Sequence, residues 1–220
     1  MASVLTDKPI TVILVDDHPV VRAGYRRLLE STTNIRVVAE ADNGETGHHL
    51  YLEHKPDVVV LDLNMAGIGG LETIRRIKAG DPVACILVFS MLDSEAMVQH
   101  ALRAGAVGYI TKQCGAKQMI QAIRLVQQGK KYIDPELSSS MVANLTLNNT
   151  SEDPLSALTE REFQIFKLMA EGNSCAQIAE MISISPKTVG VHHTNIMKKL
   201  KLQNLAQLVR LAISCNVTLA

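Results

Sequence analysis

Along residues 10–126, short β-branched and aliphatic runs alternate with longer amphipathic stretches. The runs are Ile10–Val15, Ile35–Ala39, Val58–Leu61, Ile86–Phe89 and Val107–Ile110. They are nearly continuous in apolar character, as strands buried on both faces are. Between them lie Val20–Leu29, Glu45–Glu53, Leu71–Ile77 and Glu95–Ala104, and Ala116–Val126 follows the last, each with helical spacing of its apolar residues. Five alternations of strand and helix predict a parallel sheet covered on both sides, a doubly wound α/β domain. The longest apolar run, Val83–Phe89, reads as a buried strand and falls far short of the roughly 20 residues a membrane helix needs.

The pattern fades over residues 130–154, which read as a linker ending in the polar segment Asn148–Pro154. Within it, Asp134–Leu145 fits one helix, with Asp134 as cap and Pro135 in the first turn. Residues 155–220 read as four short helices. Thr159–Glu162 and Ser174–Gln177 are capping boxes, Ser185-Pro186 is a cap followed by proline at the first position, and Asn204 caps the last helix. Gly172 stops the first of the four. Helices two and three are joined by the short turn Met181–Ser185, which is the spacing of a helix-turn-helix whose second helix enters the major groove of duplex DNA.

Net charge is zero, but the charges are unevenly placed: residues 155–220 carry a net +3 and residues 131–154 a net −3. A small basic segment on a neutral body is compatible with nucleic acid. Aromatic residues make up 3% and tryptophan is missing, which argues against single-strand binding by base stacking. The four cysteines, Cys85, Cys114, Cys175 and Cys215, lack metal or redox spacing and read as reduced small hydrophobes. The N-terminus has no basic start or apolar core of a signal peptide, so a cytoplasmic location without membrane attachment is expected.

Asp16 and Asp17 follow the first strand and Asp62 follows the third. In a sheet of order 2-1-3-4-5 these strand ends are neighbours at the switch point, where such folds bind ligands. Three carboxylates this close repel, and a divalent cation with oxygen ligands is the usual remedy; Mg²⁺ fits, since it bridges readily to phosphoryl oxygens. Ser90 and Lys112 end the fourth and fifth strands at the same crevice. Carboxylates, a hydroxyl and an ammonium together suit a phosphoryl group carried on a carboxylate.

The residues Val-Asp16-Asp17-His-Pro, Leu-Asp62-Leu-Asn-Met, Ser90 and Lys112 resemble the receiver domain of bacterial response regulators, over residues 10–126. The resemblance implies a flavodoxin-like fold and phosphorylation of Asp62 by a sensor histidine kinase. It also implies Mg²⁺ held by Asp17, Asp62 and the main-chain carbonyl of Asn64, with Asp16 acting through water. Tyr109 stands at the family's switch aromatic, which turns inward when Ser90 meets the phosphoryl group. The family commonly has proline at Ala66 and often aspartate at Gly69, so a more mobile loop is expected here.

Leu158-Thr-Glu-Arg-Glu, Ile178-Ala-Glu, Ile184-Ser-Pro-Lys-Thr-Val and His192–Leu200 resemble the LuxR-type helix-turn-helix. Taken together, the chain resembles a NarL/FixJ-type response regulator: a sequence-specific transcriptional regulator rather than an enzyme. On the third helix of the bundle, Val189, His192, Ile196 and Leu200 form the core stripe, with His192 read as a satisfied core histidine. The opposite side offers Lys187 and Lys198 to phosphates, Val191 to a thymine methyl and Thr194 to a base edge. His193 and Lys199 join them as candidate backbone contacts. Gly190 departs from the longer polar residue usual in the family. Phosphorylation would shift an equilibrium between an occluded and a free helix-turn-helix and favour homodimers on promoter DNA, with Asn204–Ile213 as the self-association helix.

Two other readings compete. A phosphohydrolase using Asp62 as nucleophile would want a second acid two residues on, where Asn64 stands. A DNA-binding regulator with a degenerate receiver would bind its operator independently of phosphate, against which the complete acid trio stands.

Overall fold

The computed structural model describes residues 8–65, 67–139, 154–215 and 217. A six-stranded sheet forms its centre: β1 (Ile10–Val15), β2 (Ile35–Ala41), β3 (Val58–Leu61), β4 (Ile86–Ser90), β5 (Gly108–Thr111) and β6 (Tyr132–Ile133). Their order is β2-β1-β3-β4-β5-β6 and every pairing is parallel. Helices α1 (Pro19–Glu30), α2 (Gly44–His54), α3 (Gly69–Gly80), α4 (Glu95–Ala104) and α5 (Ala116–Gln127) make the crossovers.

Successive residues of a strand point to opposite faces, and β1 shows why its run is continuously apolar. Val12 and Leu14 pack in a core with Leu29 of α1 and Met119 and Ile123 of α5. Ile13 and Val15 enter the opposite core with Tyr51 of α2 and Ile74 of α3. The expected doubly wound layering is thus met, with two differences. Residues 132–133, read as linker, extend the sheet as β6, because a two-residue strand is too short to show a period. Val83, read as part of the fourth strand, is 84% exposed; it follows Pro82 in a turn where its N–H donates to Asp81 Oδ1 (3.2 Å), and the strand starts at Ile86.

Asp134 caps the next helix, α6, as expected: its Oδ1 accepts from Glu136 N at 3.1 Å. Residues 135–139 are helical, and 140–145 of that expected helix lie outside the described residues. After a 3₁₀ turn (Pro154–Ala157) come α7 (Glu160–Ala170), α8 (Cys175–Met181), α9 (Pro186–Lys199) and α10 (Leu205–Ser214). Both capping boxes form, on Thr159 and Ser174, and Ser185 and Asn204 accept from Thr188 N and Gln207 N. Gly172 ends the α7 segment at φ +88°, a left-handed conformation that glycine takes without a Cβ clash.

The bundle shares a core with the α/β part. Met97 and Ala101 of α4 belong to the same buried cluster as Leu155, Phe163 and Phe166, and the His100 ring stacks on Phe163 at 4.0 Å. Gly70, in the first turn of α3, packs directly under the strand end that carries Asp62. A Cβ there would strike the Asp62 carbonyl oxygen and lie 2.6 Å from Leu63 Cα, both backbone atoms. Gly70→Ala is therefore expected to lower stability by about 1–3 kcal/mol, read as a lower urea midpoint at unchanged slope.

Candidate functional site

Strands β1 and β3 are neighbours, and the Asp62 N–H donates to the Val15 carbonyl at 2.8 Å. That pairing brings Asp16, Asp17 and Asp62 to one crevice, joined by His18: each offers a ligand atom within 4.8 Å of the others. Asp16 and Asp62 are 5% and 2% exposed. Lys112, at the end of β5, bridges them, with Nζ at 2.6 Å from Asp16 Oδ2 and 2.7 Å from Asp62 Oδ2. Burial pulls the Lys112 ammonium down in pKa, but the two carboxylates outweigh it and the net shift is upward.

Asp17 Oδ1 is buried without a well-formed hydrogen bond, and the His18 ring Nδ1 lies 2.7 Å from it. A carboxylate oxygen with spare acceptor capacity beside two further carboxylates is a donor set that fits a hard divalent cation. His18 was not singled out in the sequence, although it directly follows the acid pair; His18 N also donates to Asp16 Oδ1 at 2.9 Å. Asn64 N donates to Asp62 Oδ1 at 3.0 Å, which places the 62–64 turn around the carboxylate.

Ser90 is fully buried at the end of β4, and its Oγ accepts from Leu92 N at 3.3 Å. Tyr109 on β5 donates its hydroxyl to the Leu92 carbonyl at 2.6 Å. The two residues therefore grip the same backbone residue from opposite sides. The Tyr109 ring is fully buried. In the loop after Asp62, Ala66 lies outside the described residues. Gly67 and Gly69 take φ +80° and +68°, so an aspartate at position 69 would be strained. The loop is anchored at Ile68, whose N–H donates to Glu45 Oε1 at 3.3 Å.

The second candidate site is α9. Val189 and Ile196 are fully buried against α7 and α8. Lys187, Val191, Thr194 and Lys198 are exposed along the outer side, with Gly190 and His193 half-buried among them. The receiver therefore leaves this side uncovered: it docks through α3 and α4 onto α7 and the end of α8, where Arg76 donates to the Met181 carbonyl at 3.2 Å. The Lys199 ammonium turns back to Glu162 Oε2 at 2.6 Å and ties α9 to the capping box of α7. Thr194 Oγ1 is engaged with the Gly190 carbonyl at 3.0 Å. A Cβ at Gly190 would meet nothing within 4 Å, so packing inside the chain does not require glycine there. His192 is half-buried with Nδ1 unpartnered, not the satisfied core histidine expected.

Residues 12–124 match the family described as response regulator receiver domain, and residues 156–212 match bacterial regulatory proteins, luxR family. The oxygen regulatory protein NreC of Staphylococcus carnosus is 38% identical over 208 residues, covering 92% of this chain and 96% of that protein. The response regulator GacA of Pseudomonas aeruginosa is 36% identical over 204 residues, covering 93% and 95%. Among solved structures, RcsB from Salmonella enterica serovar Typhimurium, bound to promoter P1flhDC in the presence of the phosphomimetic BeF3−, has a TM-score of 0.75 at 25% identity, covering 94% of this chain and 100% of that one. A LuxR-family two-component response regulator from Aurantimonas sp. SI85-9A1 has a TM-score of 0.61 at 39% identity, covering 63% and 99%.

All four phenols, Tyr25, Tyr51, Tyr109 and Tyr132, have their pKa raised above 10.0, with burial the largest cause in each. The unfolded chain therefore ionises first. Stability from these groups is complete below pH 10 and is lost as pH climbs toward the folded-state values. In an alkaline titration, phenolate absorbance is expected to lag that of free tyrosine and to rise together with the loss of circular dichroism.

Proposed function

We propose that this chain, which belongs to the response regulators that join a receiver domain to a luxR-family DNA-binding domain, is switched by phosphorylation of Asp62 and regulates transcription from promoter DNA. The observation that carries this reading is the Lys112 ammonium held between Asp16 and Asp62 beside Asp17. In the transfer, an Asp62 oxygen attacks the phosphorus of a phosphohistidine on a sensor kinase. The new O–P bond forms as the P–N bond breaks, and the leaving imidazole takes a proton from solvent. Lys112 lies where it neutralises the phosphoryl oxygens, and the Ser90 hydroxyl donates to one of them. Asp17, Asp62 and the Asn64 carbonyl would hold Mg²⁺, with Asp16 acting through water, and the ion would supply further positive charge there.

Residues 8–129 with β6 make the receiver, the stretch to 154 the connection, and 155–220 the DNA-binding part. Lys187 and Lys198 meet phosphates, while Val191 and Thr194 face base edges. On α10, Leu205 and Ile213 are 50% and 40% exposed, which supports self-association through this helix on two half-sites. Among the described residues no helix is long and apolar enough to cross a membrane. Binding promoter DNA places the protein in the cytoplasm.

With Mg²⁺ and acetyl phosphate, the wild type is expected to gain one phosphoryl group by intact mass and Asp62→Asn none; equal gain by both overturns the assignment. The uncovered side of α9 favours a second reading, in which DNA binding itself does not await phosphate. Unchanged operator affinity in Asp62→Asn, with and without phosphodonor, would establish it. Lys187→Ala and Lys198→Ala are each expected to weaken binding to all sequences alike and to lower the salt slope of log K by about 1. A loss confined to one operator sequence would instead make them base readers.

A further inference from the structure

Lys167 lies on α7, in the DNA-binding part, yet it reaches the receiver. The residue is 7% exposed, and its Nζ donates to the Leu63 carbonyl at 2.9 Å. Leu63 stands between Asp62 and Asn64, the residues assigned above to the phosphoryl group and to Mg²⁺. Among the described residues, the other hydrogen bonds, ion pairs and ring contacts across the interface fall on α3 and α4. Arg161 pairs with Glu72 at 3.0 Å, Arg75 donates to Gln164 Oε1 at 2.5 Å, and His100 stacks on Phe163. Among the described hydrogen bonds between the two parts, that of Lys167 is the one that touches the turn beside Asp62.

A lysine is rarely buried unless it is paired, and among the described residues the carboxylate that pairs with Lys167 is Glu171, at 3.6 Å and one turn along its own helix. Burial lowers its pKa, while Glu171, Asp62 and Asp17 act in the opposite sense. The negative crevice therefore helps to compensate the buried ammonium. Mg²⁺ alone adds two positive charges to that crevice. A phosphoryl group returns only about one negative charge relative to the free carboxylate. The loaded crevice is thus more positive than the empty one, and a neighbouring cation is less welcome.

Resting on the function proposed above, we infer that Lys167 is a positioning residue through which the DNA-binding part senses the charge of the Asp62 crevice. Its ammonium opposes Mg²⁺ entry while α7 is docked, and Mg²⁺ entry in turn weakens the docking. The coupling is reciprocal because one free energy governs both events. Glu171 has the opposite sign: it offsets Lys167 and eases Mg²⁺ entry.

The test is a calorimetric titration of the full chain with MgCl₂, comparing wild type with Lys167→Gln, Lys167→Arg and Glu171→Gln. Lys167→Gln is expected to tighten Mg²⁺ binding about fivefold or more, Glu171→Gln to weaken it, and Lys167→Arg to stay near wild type. Small-angle scattering should show the wild type expanding on Mg²⁺ addition and Lys167→Gln expanded without it. A folding defect would move both uncharged variants in the same direction, so a shared direction overturns the inference. No shift in either variant, with wild type binding Mg²⁺, overturns it while leaving the crevice assignment intact. No Mg²⁺ binding by wild type overturns both.

Discussion

Three carboxylates meet where two parallel strands end, and the architecture around them follows from their mutual repulsion. Parallel pairing of β1 with β3 forces Asp16 and Asp62 together, and the sheet offers no way to separate them. One compensating charge is built in: the Lys112 ammonium, carried two strands away on β5 and 6% exposed. Its side chain reaches back past the end of β4 to both carboxylates. A cation of this kind neutralises part of the charge and leaves Asp17 Oδ1 with acceptor capacity to spare.

From that crevice two lines of contact run outward. One passes along β4 and β5, where Ser90 and Tyr109 hold the amide and the carbonyl of Leu92. The other runs through the turn after Asp62 to α7, by way of Leu63 and Lys167. The first lies inside the receiver, while the second crosses into the bundle. A charge change at Asp62 therefore has a route to the orientation of α7 that needs no long-range deformation of the sheet. It does not need to uncover α9, since the outer side of that helix is already exposed. Control by orientation and by pairing of two copies fits this geometry better than control by burial.

Most elements were legible as patterns because their causes are local. Strands buried on both faces announce themselves by unbroken apolar runs, and the caps at Thr159, Ser174, Ser185 and Asn204 need only their own next three residues. The acid trio was legible for a related reason: alternation fixes the sheet as parallel, and strand ends at the switch point then fall together. The failures share the opposite character. β6 is two residues long and exists because β5 offers an open edge. The turn at Val83 depends on the side chain of Asp81.

What the sequence by itself determined is the chemistry present: which strand ends carry acids, a hydroxyl and a lysine, and which helix of the bundle carries the outward bases. Those follow from period and position alone. What only the tertiary structure decided is which charges find each other across long separations. Lys199 reads as a free base at a helix end until Glu162 is seen beside it. Lys167 is one of several polar residues of α7, and its partner is settled only by the docking of α7 on the Asp62 turn. No local pattern encodes such pairings, because the ion pair at Glu162 and the hydrogen bond at Leu63 depend on how helices pack, and packing is settled by the shared core of both parts.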